Sequence, residues 1–288
     1  MEPGSIFQRE GDRFVPSDLA RGPWRADTQH GSPVLGLLAR AAEHYGGAET
    51  DRPAQVARLS VDLLRAAPMA PIEIETRQVR RGGMLEVLEL RLCSGGVEYA
   101  RASALRSRIE EIDTSAYRDG FDSVAPPDPP ADSRCLPTRR GRIFFPHSLD
   151  MRASGGPEGG SVWFRLRVAL VAGEAPSPLV RAAVASDFAY STPVLLRRLI
   201  DPDFPAERDF VTINPDTTIH LHRPPEGEWL ALESRARFGG LGAGSAVATL
   251  WDTRGAAGHV SQSILVRKQA TRGMSYSTDP ATGSEPES

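Results

Sequence analysis

The chain has 288 residues, of which 40% are hydrophobic and 25% are charged, with a formal net charge of -3. This length suits one large domain or two ordinary ones, and the composition excludes wholesale disorder. The slightly acidic balance argues against a dedicated nucleic-acid binder. No stretch approaches the roughly 18–20 apolar residues that span a bilayer, and the N-terminus lacks a signal pattern. Cys93 and Cys135 make no disulfide framework or zinc cluster, so we expect a cytoplasmic protein.

The first predicted element is a helix that begins at Ser32-Pro33 and continues through Ala41. Serine can cap the free N–H groups of a first turn, and proline fits that turn because its missing N–H costs nothing there. The second half has the same signal at Ser191-Thr192-Pro193. Apolar residues then recur at mixed steps of one, three and four, which predicts helices buried on more than one side.

Each predicted helix is followed by segments that alternate apolar and polar residues, the period of a half-buried antiparallel strand. Glycine-rich turn signals separate these segments. The predicted strands cover residues 57–65, 72–79, 85–92 and 98–108 in the first half, then 161–171, 217–223, 229–238, 244–251 and 258–267 in the second.

The two halves repeat each other at a nearly constant offset. Arg65 corresponds to Arg223, and Glu75 corresponds to Glu233. The same features in the same order predict a duplicated unit of one central helix followed by four or five antiparallel strands. Chance similarity between two α+β units is the alternative interpretation.

Proline and glycine mark the predicted boundaries. Residues 125–132 are rich in Pro and Asp and predict an extended linker, and residues 154–160 predict a loop. We therefore assign residues 1–124 to an N-terminal unit and 125–160 to a linker with short ordered segments. Residues 161–268 form the C-terminal unit, and 269–288 form a disordered tail.

Several local sequences resemble segments of acyl-CoA thioesterases of the thioesterase II type. They are residues 22–31 before the first helix, Ala185-Ser186-Asp187, the His222-Arg223-Pro224 block with Glu228-Trp229, and Val260-Ser261-Gln262-Ser263. The resemblance extends over about residues 23–267. It implies an α+β double hotdog fold, in which each of two tandem units has a central helix wrapped by a curved antiparallel sheet. It also implies an acyl-CoA substrate, with no metal and no cofactor.

The family hydrolyses thioesters without a covalent intermediate, through a water held by an aspartate, a hydroxyl residue and a glutamine. By position Asp187 corresponds to the aspartate and Gln262 to the glutamine, while Asn214 falls at the hydroxyl position. A carboxylate can accept a proton from water, and an amide can hold that water. A helix N-terminus offers N–H groups to an oxyanion, and Asp187 precedes the second predicted helix.

Each of these three residues also has a structural interpretation. Asp187 could simply cap the second helix. Gln262 lies on the same strand face as Ile264 and could belong to a buried hydrogen-bond network. The sequence Asn214-Pro215-Asp216 is an ordinary turn signal.

Further residues are assigned outside the trio. His30 could be a base because histidine titrates near neutrality, but its position matches the glycine-rich helix start of the family. We assign His30 and Gly31 to substrate binding, with a surface turn as the alternative, and we assign Phe188 and Tyr190 to the same role. His220 and His222 are expected to pack or to lie at an interface, and Arg65 and Arg223 are expected to be structural.

The resemblance predicts a hydrolase that releases free fatty acid and CoA, with Asp187 as the water-activating base. One alternative is a non-catalytic acyl-CoA or acyl-carrier binding protein, which the departure at Asn214 favours. Another is a dehydratase of enoyl- or hydroxyacyl-CoA, which needs a His/Asp or His/Glu pair at a helix start. The second half offers no such pair by itself. By analogy with hotdog sheets we expect a homo-oligomer.

Overall fold

The computed structural model describes residues 4–46, 53–114, 144–156, 159–201, 203 and 210–268. Fourteen strands form one sheet, and three α-helices lie against it. The strands are β1 Ser5–Glu10, β2 Arg13–Pro16, β3 Ala54–Leu63, β4 Ile72–Arg81, β5 Leu85–Ser94, β6 Val97–Arg108, β7 Leu149–Gly156, β8 Gly159–Leu166, β9 Ala169–Val171, β10 Phe210–Ile213, β11 Asp216–Leu221, β12 Trp229–Phe238, β13 Ala243–Asp252 and β14 Gly255–Lys268. The helices are α1 Gly31–His44, α2 Pro178–Ser186 and α3 Thr192–Ile200.

The strand order across the sheet is β7-β8-β12-β13-β14-β11-β3-β6-β5-β4-β2-β1-β9, and β10 pairs with β14. All neighbours are antiparallel except β1 and β9, which are parallel. The β11–β3 pair joins strands of the N-terminal half to strands of the C-terminal half, so the two units share one continuous sheet. None of the described helices is both long enough and apolar enough to cross a membrane.

The register of the β11–β3 pair confirms the predicted duplication. Ser60 and Thr218 are 158 residues apart, the same offset that relates Arg65 to Arg223. These two residues face each other in the pair, and Thr218 Oγ1 donates a hydrogen bond to Ser60 Oγ at 3.1 Å. On either side, Thr217 pairs with Val61 and Ile219 pairs with Leu59. The same offset makes Thr217 equivalent to Leu59 and Ile219 equivalent to Val61, so the two pairs are related by a local two-fold axis. The predicted α+β double hotdog is confirmed.

The core lies between the sheet and the helices. Helix α1 begins at Gly31, next to the Ser32-Pro33 signal, but its N-cap residue is His30 and not a serine. Leu35, Leu37 and Leu38 are fully buried along it. Helix α2 packs against α1 through small side chains, of which Ala182 and Ala183 are fully buried. Because burial of apolar side chains is the main favourable term in folding, this helix pair anchors both halves on one core.

The structure differs from the sequence predictions in several segments, and strands β1, β2 and β10 were not predicted. Helix α2 was not predicted, although Ser177-Pro178 repeats the start signal and Ser177 Oγ accepts a hydrogen bond from Val180 N. The predicted strand 161–171 is divided into β8 and β9, which lie at opposite ends of the sheet order. The prediction of a loop over residues 154–160 was wrong, because described residues on both sides of 157–158 pair as the ends of β7 and β8.

Two predicted segments lie outside the described residues. They are the Pro- and Asp-rich part of the linker, residues 125–132, and the tail, residues 269–288. The described end of the predicted linker contains a short 3-10 helix, Phe145–Ser148, followed by β7.

Candidate active site

Asp187 lies in the turn between α2 and α3, and its side chain reaches across to the start of α1. Its Oδ2 accepts a hydrogen bond from Ser32 Oγ at 2.9 Å, and its Oδ1 accepts one from Asn214 Nδ2 at 2.7 Å. The carboxylate is 4% exposed. Asp187 does not cap α3, because the N-cap residue of that helix is Ser191. The helix N-terminus beside this carboxylate is therefore that of α1, in the other half of the chain, and not that of α3 as the sequence suggested.

Gly31 makes this close approach possible. A Cβ atom added at Gly31 would lie 2.8 Å from Asp187 Oδ1 and 2.9 Å from Oδ2. No side chain larger than hydrogen fits there without moving the carboxylate or the helix. The predicted involvement of Gly31 in the site thus has a steric basis, since its bare backbone borders the carboxylate directly.

The hydrogen bonds to Asp187 determine its ionisation. Burial acts to raise the pKa of the Asp187 carboxyl, but hydrogen bonds from His30, Asn214 and Ser32 outweigh burial and hold that pKa below its ordinary value. The N-terminal end of α1 also favours a negative charge at this place. Asp187 is therefore an ionised carboxylate at neutral pH, enclosed by donors from both halves of the chain.

His30 contacts this carboxylate directly. Its Nδ1 lies 3.0 Å from Asp187 Oδ2, and its side chain is 16% exposed. The imidazole packs against two aromatic rings that also contact each other, with centroid distances of 5.1 Å to Phe145 and 5.3 Å to Phe188. A surface turn, the alternative for His30, is excluded by these contacts. The sequence did not show that His30 and Asp187 are partners.

Asn214 and Gln262 reach the Asp187 turn from two strands of the sheet. Asn214 follows β10 and donates to the carboxylate, as described above. Gln262 lies on β14, is 3% exposed and does not touch the carboxylate. Its Oε1 accepts a hydrogen bond from Tyr190 N at 2.8 Å, and its Nε2 donates to Thr217 Oγ1 at 2.8 Å.

The amide of Gln262 also holds the backbone on either side of the carboxylate. Its Nε2 lies within hydrogen-bond distance of Ser186 O at 3.2 Å and of Asp187 O at 3.3 Å. Together with the bond from Tyr190 N, these contacts fix the conformation of the turn that presents Asp187. Sequence reasoning missed two residues here, Thr217 and Ser32. Ser32 carried a signal only as part of the helix start.

Phe188 and Tyr190 follow Asp187 in the same turn. Phe188 is buried, and its ring lies 5.1 Å from that of Phe164 and 6.3 Å from that of Phe145. Three aromatic rings therefore border the site on its apolar side. Tyr190 is half-buried and contributes its backbone N–H to Gln262.

Two known protein domain families match this chain. The family described as the acyl-CoA thioesterase C-terminal domain matches residues 121–266, and the corresponding N-terminal domain matches residues 20–107. The chain belongs to the acyl-CoA thioesterase family. The predicted enzyme class, an acyl-CoA thioesterase, is confirmed at the level of family membership. A comparison with curated proteins finds no match.

Solved structures of similar fold agree with this family. A protein from Thermobifida fusca described as a thioesterase II is 20% identical with a TM-score of 0.66, over 92% of this chain and 96% of that one. An acyl-CoA thioesterase II from Mycobacterium marinum is 16% identical with a TM-score of 0.61, over 92% and 96%. A hot dog protein from Alicyclobacillus acidocaldarius is 16% identical with a TM-score of 0.66, over 93% and 97%. At these identities the likeness establishes the fold.

The thioesterase-like His-Arg-Pro block has a structural role in this chain. The Arg223 guanidinium binds the Asp252 carboxylate through two nitrogens, at 2.5 and 2.8 Å, and Asp252 is fully buried. Backbone N–H groups of Glu226 and Arg254 donate to the same carboxylate. Burial acts to raise the pKa of Asp252, but Arg223 and these N–H groups outweigh it and lower that pKa. The expected structural role of Arg223 therefore fits its contacts.

Arg65 and His220, which the sequence analysis also considered, lie away from the Asp187 site. Arg65 NH1 donates to the backbone oxygen of Glu98. His220 is exposed and faces His259 in the β11–β14 pair. Among the residues that the structure describes, no three His, Cys, Asp or Glu side chains converge in a way that could hold a metal ion.

Proposed function

We propose that this protein hydrolyses fatty acyl-CoA to free fatty acid and CoA by direct attack of water, and that activation of the water depends on Asp187. The observation that carries the proposal is the buried, ionised Asp187 carboxylate at the N-terminus of α1, held by donors from both halves. A buried charge is costly unless it is fully paired. Such a charge in a thioesterase fold is well suited to a role in proton transfer.

Besides a base, the reaction needs a group of the site that stabilises the oxyanion. The water oxygen forms a bond to the thioester carbonyl carbon, and the carbonyl oxygen takes up the negative charge. Backbone N–H groups in the first turn of α1 can stabilise that charge, because a helix N-terminus carries free donors and the positive end of the dipole. The C–S bond then breaks, and the proton that the base took from the water passes to the leaving CoA sulfur.

The aromatic rings, Gln262 and Asn214 have supporting roles in this proposal. The aromatic rings of Phe145, Phe164 and Phe188 offer an apolar wall for the acyl chain next to the carboxylate. Gln262 positions Asp187 through the backbone of its turn, instead of holding the water itself. Asn214 replaces the hydroxyl of the family trio as the donor to Asp187.

Thiol release measured over a panel of acyl-CoAs from short to long chains tests the proposal. Asp187→Asn should abolish release while acyl-CoA binding, measured by calorimetry, survives. Asp62→Asn is the matched control, because Asp62 is exposed on β3. A blank without substrate corrects for the protein's own cysteine thiols. Near-normal turnover by Asp187→Asn would overturn the assignment of Asp187. Tight binding without release by the wild type would instead establish a non-catalytic acyl-CoA binding protein.

The contact between His30 and Asp187 favours a second candidate function, hydration of enoyl-CoA or dehydration of hydroxyacyl-CoA. That chemistry requires an imidazole and a carboxylate at a helix start. Each half lacks the pair by itself, but the fold assembles it from the two halves. Loss of the enoyl absorbance on incubation with enoyl-CoA, without thiol release, would support this candidate over hydrolysis.

From the family resemblance we also propose that the protein is a cytoplasmic homo-oligomer. Sedimentation equilibrium of the purified protein measures the oligomeric state, and a monomer at micromolar concentration would contradict the proposal.

A further inference from the structure

The polar contacts of His30 determine where its proton lies. Nδ1 of His30 is 3.0 Å from Asp187 Oδ2, and the same Nδ1 is 3.2 Å from the backbone nitrogen of Ser32. One ring nitrogen cannot donate to the carboxylate and accept from the N–H group at the same time. An unprotonated Nδ1 would set its lone pair against an ionised carboxylate oxygen. The proton therefore lies on Nδ1, and His30 donates to Asp187.

This tautomer leaves Nε2 with a free lone pair. In the neutral imidazole the nitrogen without the proton is the basic one. In the part of the chain that the structure describes, Nδ1 makes the polar contacts of the ring, and Nε2 has no hydrogen-bond partner. The rings of Phe145 and Phe188 fix the orientation of the imidazole, so Nε2 is held in a defined direction.

Asp187 is less accessible to water than His30. Both carboxylate oxygens already accept hydrogen bonds, and the side chain is 4% exposed against 16% for His30. A carboxylate with two oxygens has about four acceptor sites, and three are used by Ser32, Asn214 and His30. Water approaching the pair thus meets the imidazole more readily than the carboxylate.

We infer that His30 Nε2 is the general base that takes the proton of the attacking water, and that Asp187 is a positioning residue which fixes the tautomer of His30. This inference rests on the proposed hydrolysis and names the group that performs its proton transfer. The carboxylate also stabilises the imidazolium that forms, as an acidic partner of a catalytic histidine does.

The proton balance of the step is complete with these groups. One O–H bond of water breaks, its proton passes to Nε2, and the water oxygen bonds to the carbonyl carbon. The electron pair of the carbonyl moves to its oxygen. When the tetrahedral intermediate collapses, the C–S bond breaks, and the imidazolium returns its proton to the leaving sulfur. The products are a carboxylic acid and the CoA thiol, and His30 is neutral again.

The contacts of the imidazole include one carboxylate. The carboxylate of Asp187 comes from the α2–α3 turn, and three further contacts of the imidazole are made by uncharged groups. Those uncharged groups are the ring of Phe145, the ring of Phe188 and the backbone N–H of Ser32. Within the described residues, Asp187 is the one titratable side chain in contact with His30.

The decisive variant is His30→Asn. His30 is the N-cap residue of α1, and asparagine is favoured at that position, but asparagine cannot accept a proton at neutral pH. We expect kcat for thiol release to fall by about 10²–10⁴-fold, the usual contribution of a general base, with little change in KM. Added imidazole should restore part of the lost rate. His220→Asn is the matched control, because it removes an exposed histidine far from the site.

The pH profile of the wild type gives a second readout that needs no variant. A histidine base predicts that kcat/KM falls with a one-proton limb as the pH drops through the neutral range. A carboxylate base with a lowered pKa predicts a limb only below the ordinary carboxyl range. Loss of the neutral limb in His30→Asn supports the inference.

Three results would overturn it, and they are distinct from failure of the proposed function. Wild-type release with a His30→Asn rate within a few-fold of normal excludes His30 as the base. A wild-type pH profile of kcat/KM that is flat through the neutral range also excludes His30 as the base. Trapping of an acyl group on His30 would show that the imidazole is a nucleophile, and not a base for water. Absence of any release by the wild type would instead overturn the hydrolysis itself.

Discussion

Replacement of Gly31 by alanine tests whether the packing of Asp187 against α1 governs the site. The new Cβ would lie 2.8 Å from Asp187 Oδ1, whereas ordinary contact begins near 3.4 Å. The carboxylate must therefore retreat, and it cannot do so without lengthening the hydrogen bonds from Ser32, His30 or Asn214. Gly31→Ala should thus displace the Asp187 carboxylate while leaving Asp187 itself unchanged.

The magnitude follows from those hydrogen bonds. A hydrogen bond to a charged group contributes about 1.5–3 kcal/mol, and the carboxylate remains buried when it loses one. Alanine stabilises a helix by up to about 1 kcal/mol relative to glycine, and this gain offsets part of the loss. We expect a net loss of about 1–2 kcal/mol in the free energy of unfolding. For a chain of this size, each kcal/mol lowers Tm by about 2–4 °C. Because displacement by less than 1 Å disrupts proton transfer, kcat/KM should fall by about 10²-fold.

Thermal denaturation gives the change in Tm, and thiol release measured on the same preparations gives the change in kcat/KM. Gly240→Ala is the matched control, because a Cβ at Gly240 meets nothing within 4 Å. It should leave both Tm and kcat/KM unchanged. If Gly31→Ala keeps the wild-type kcat/KM and Tm, the close approach of Asp187 to α1 is not part of the working site, and the reasoning is refuted.

Three further predictions follow from the same contacts. Asn214→Thr should preserve or raise thiol release, because a hydroxyl can replace the amide as donor to Asp187; a large loss would show that the amide does something else. Asp252→Asn should lower the free energy of unfolding by about 3 kcal/mol in urea titrations, because it breaks a buried pair with Arg223, while kcat stays normal below the melting range. Acidification should destabilise the wild type as the pH falls below about 4, since a carboxyl with a lowered folded pKa stabilises the fold only while ionised. Asp187→Asn should show a shallower acid slope, and equal slopes would contradict the role of that carboxylate.

Local patterns in the sequence were sufficient for most elements of the fold. Alternation of apolar and polar residues predicted β3 to β6 and β11 to β14 with ends within a few residues of those observed. The Ser-Pro signal predicted the start of α1, and the repeat offset predicted the pairing at the centre of the sheet. These features depend on backbone hydrogen bonding and on side-chain period, which neighbouring residues determine.

Other elements escaped prediction because their signals are short or their partners are distant. Strand β9 has only three residues, and its partner β1 lies in the other half of the chain, near the N-terminus. Strand β7 contains glycines that normally indicate a loop, and its pairing with β8 overrides that preference. Helix α2 has a start signal at Ser177-Pro178. The segment Ser191-Thr192-Pro193 matches the first half more closely, so the helix was predicted there, at α3.

The sequence by itself determined the duplicated double hotdog and, through its resemblance to a family, indicated Asp187 as a candidate site residue. Only the tertiary structure decided what Asp187 touches. Ser32 and Asp187 are 155 residues apart and still form a hydrogen bond, and His30 joins them from the same helix start. The physical reason is that α2 packs on α1 through small residues, and Gly31 lets the following turn approach the helix end. Periodicity predicts which face of an element is buried, but it does not predict which side chains two buried elements bring together.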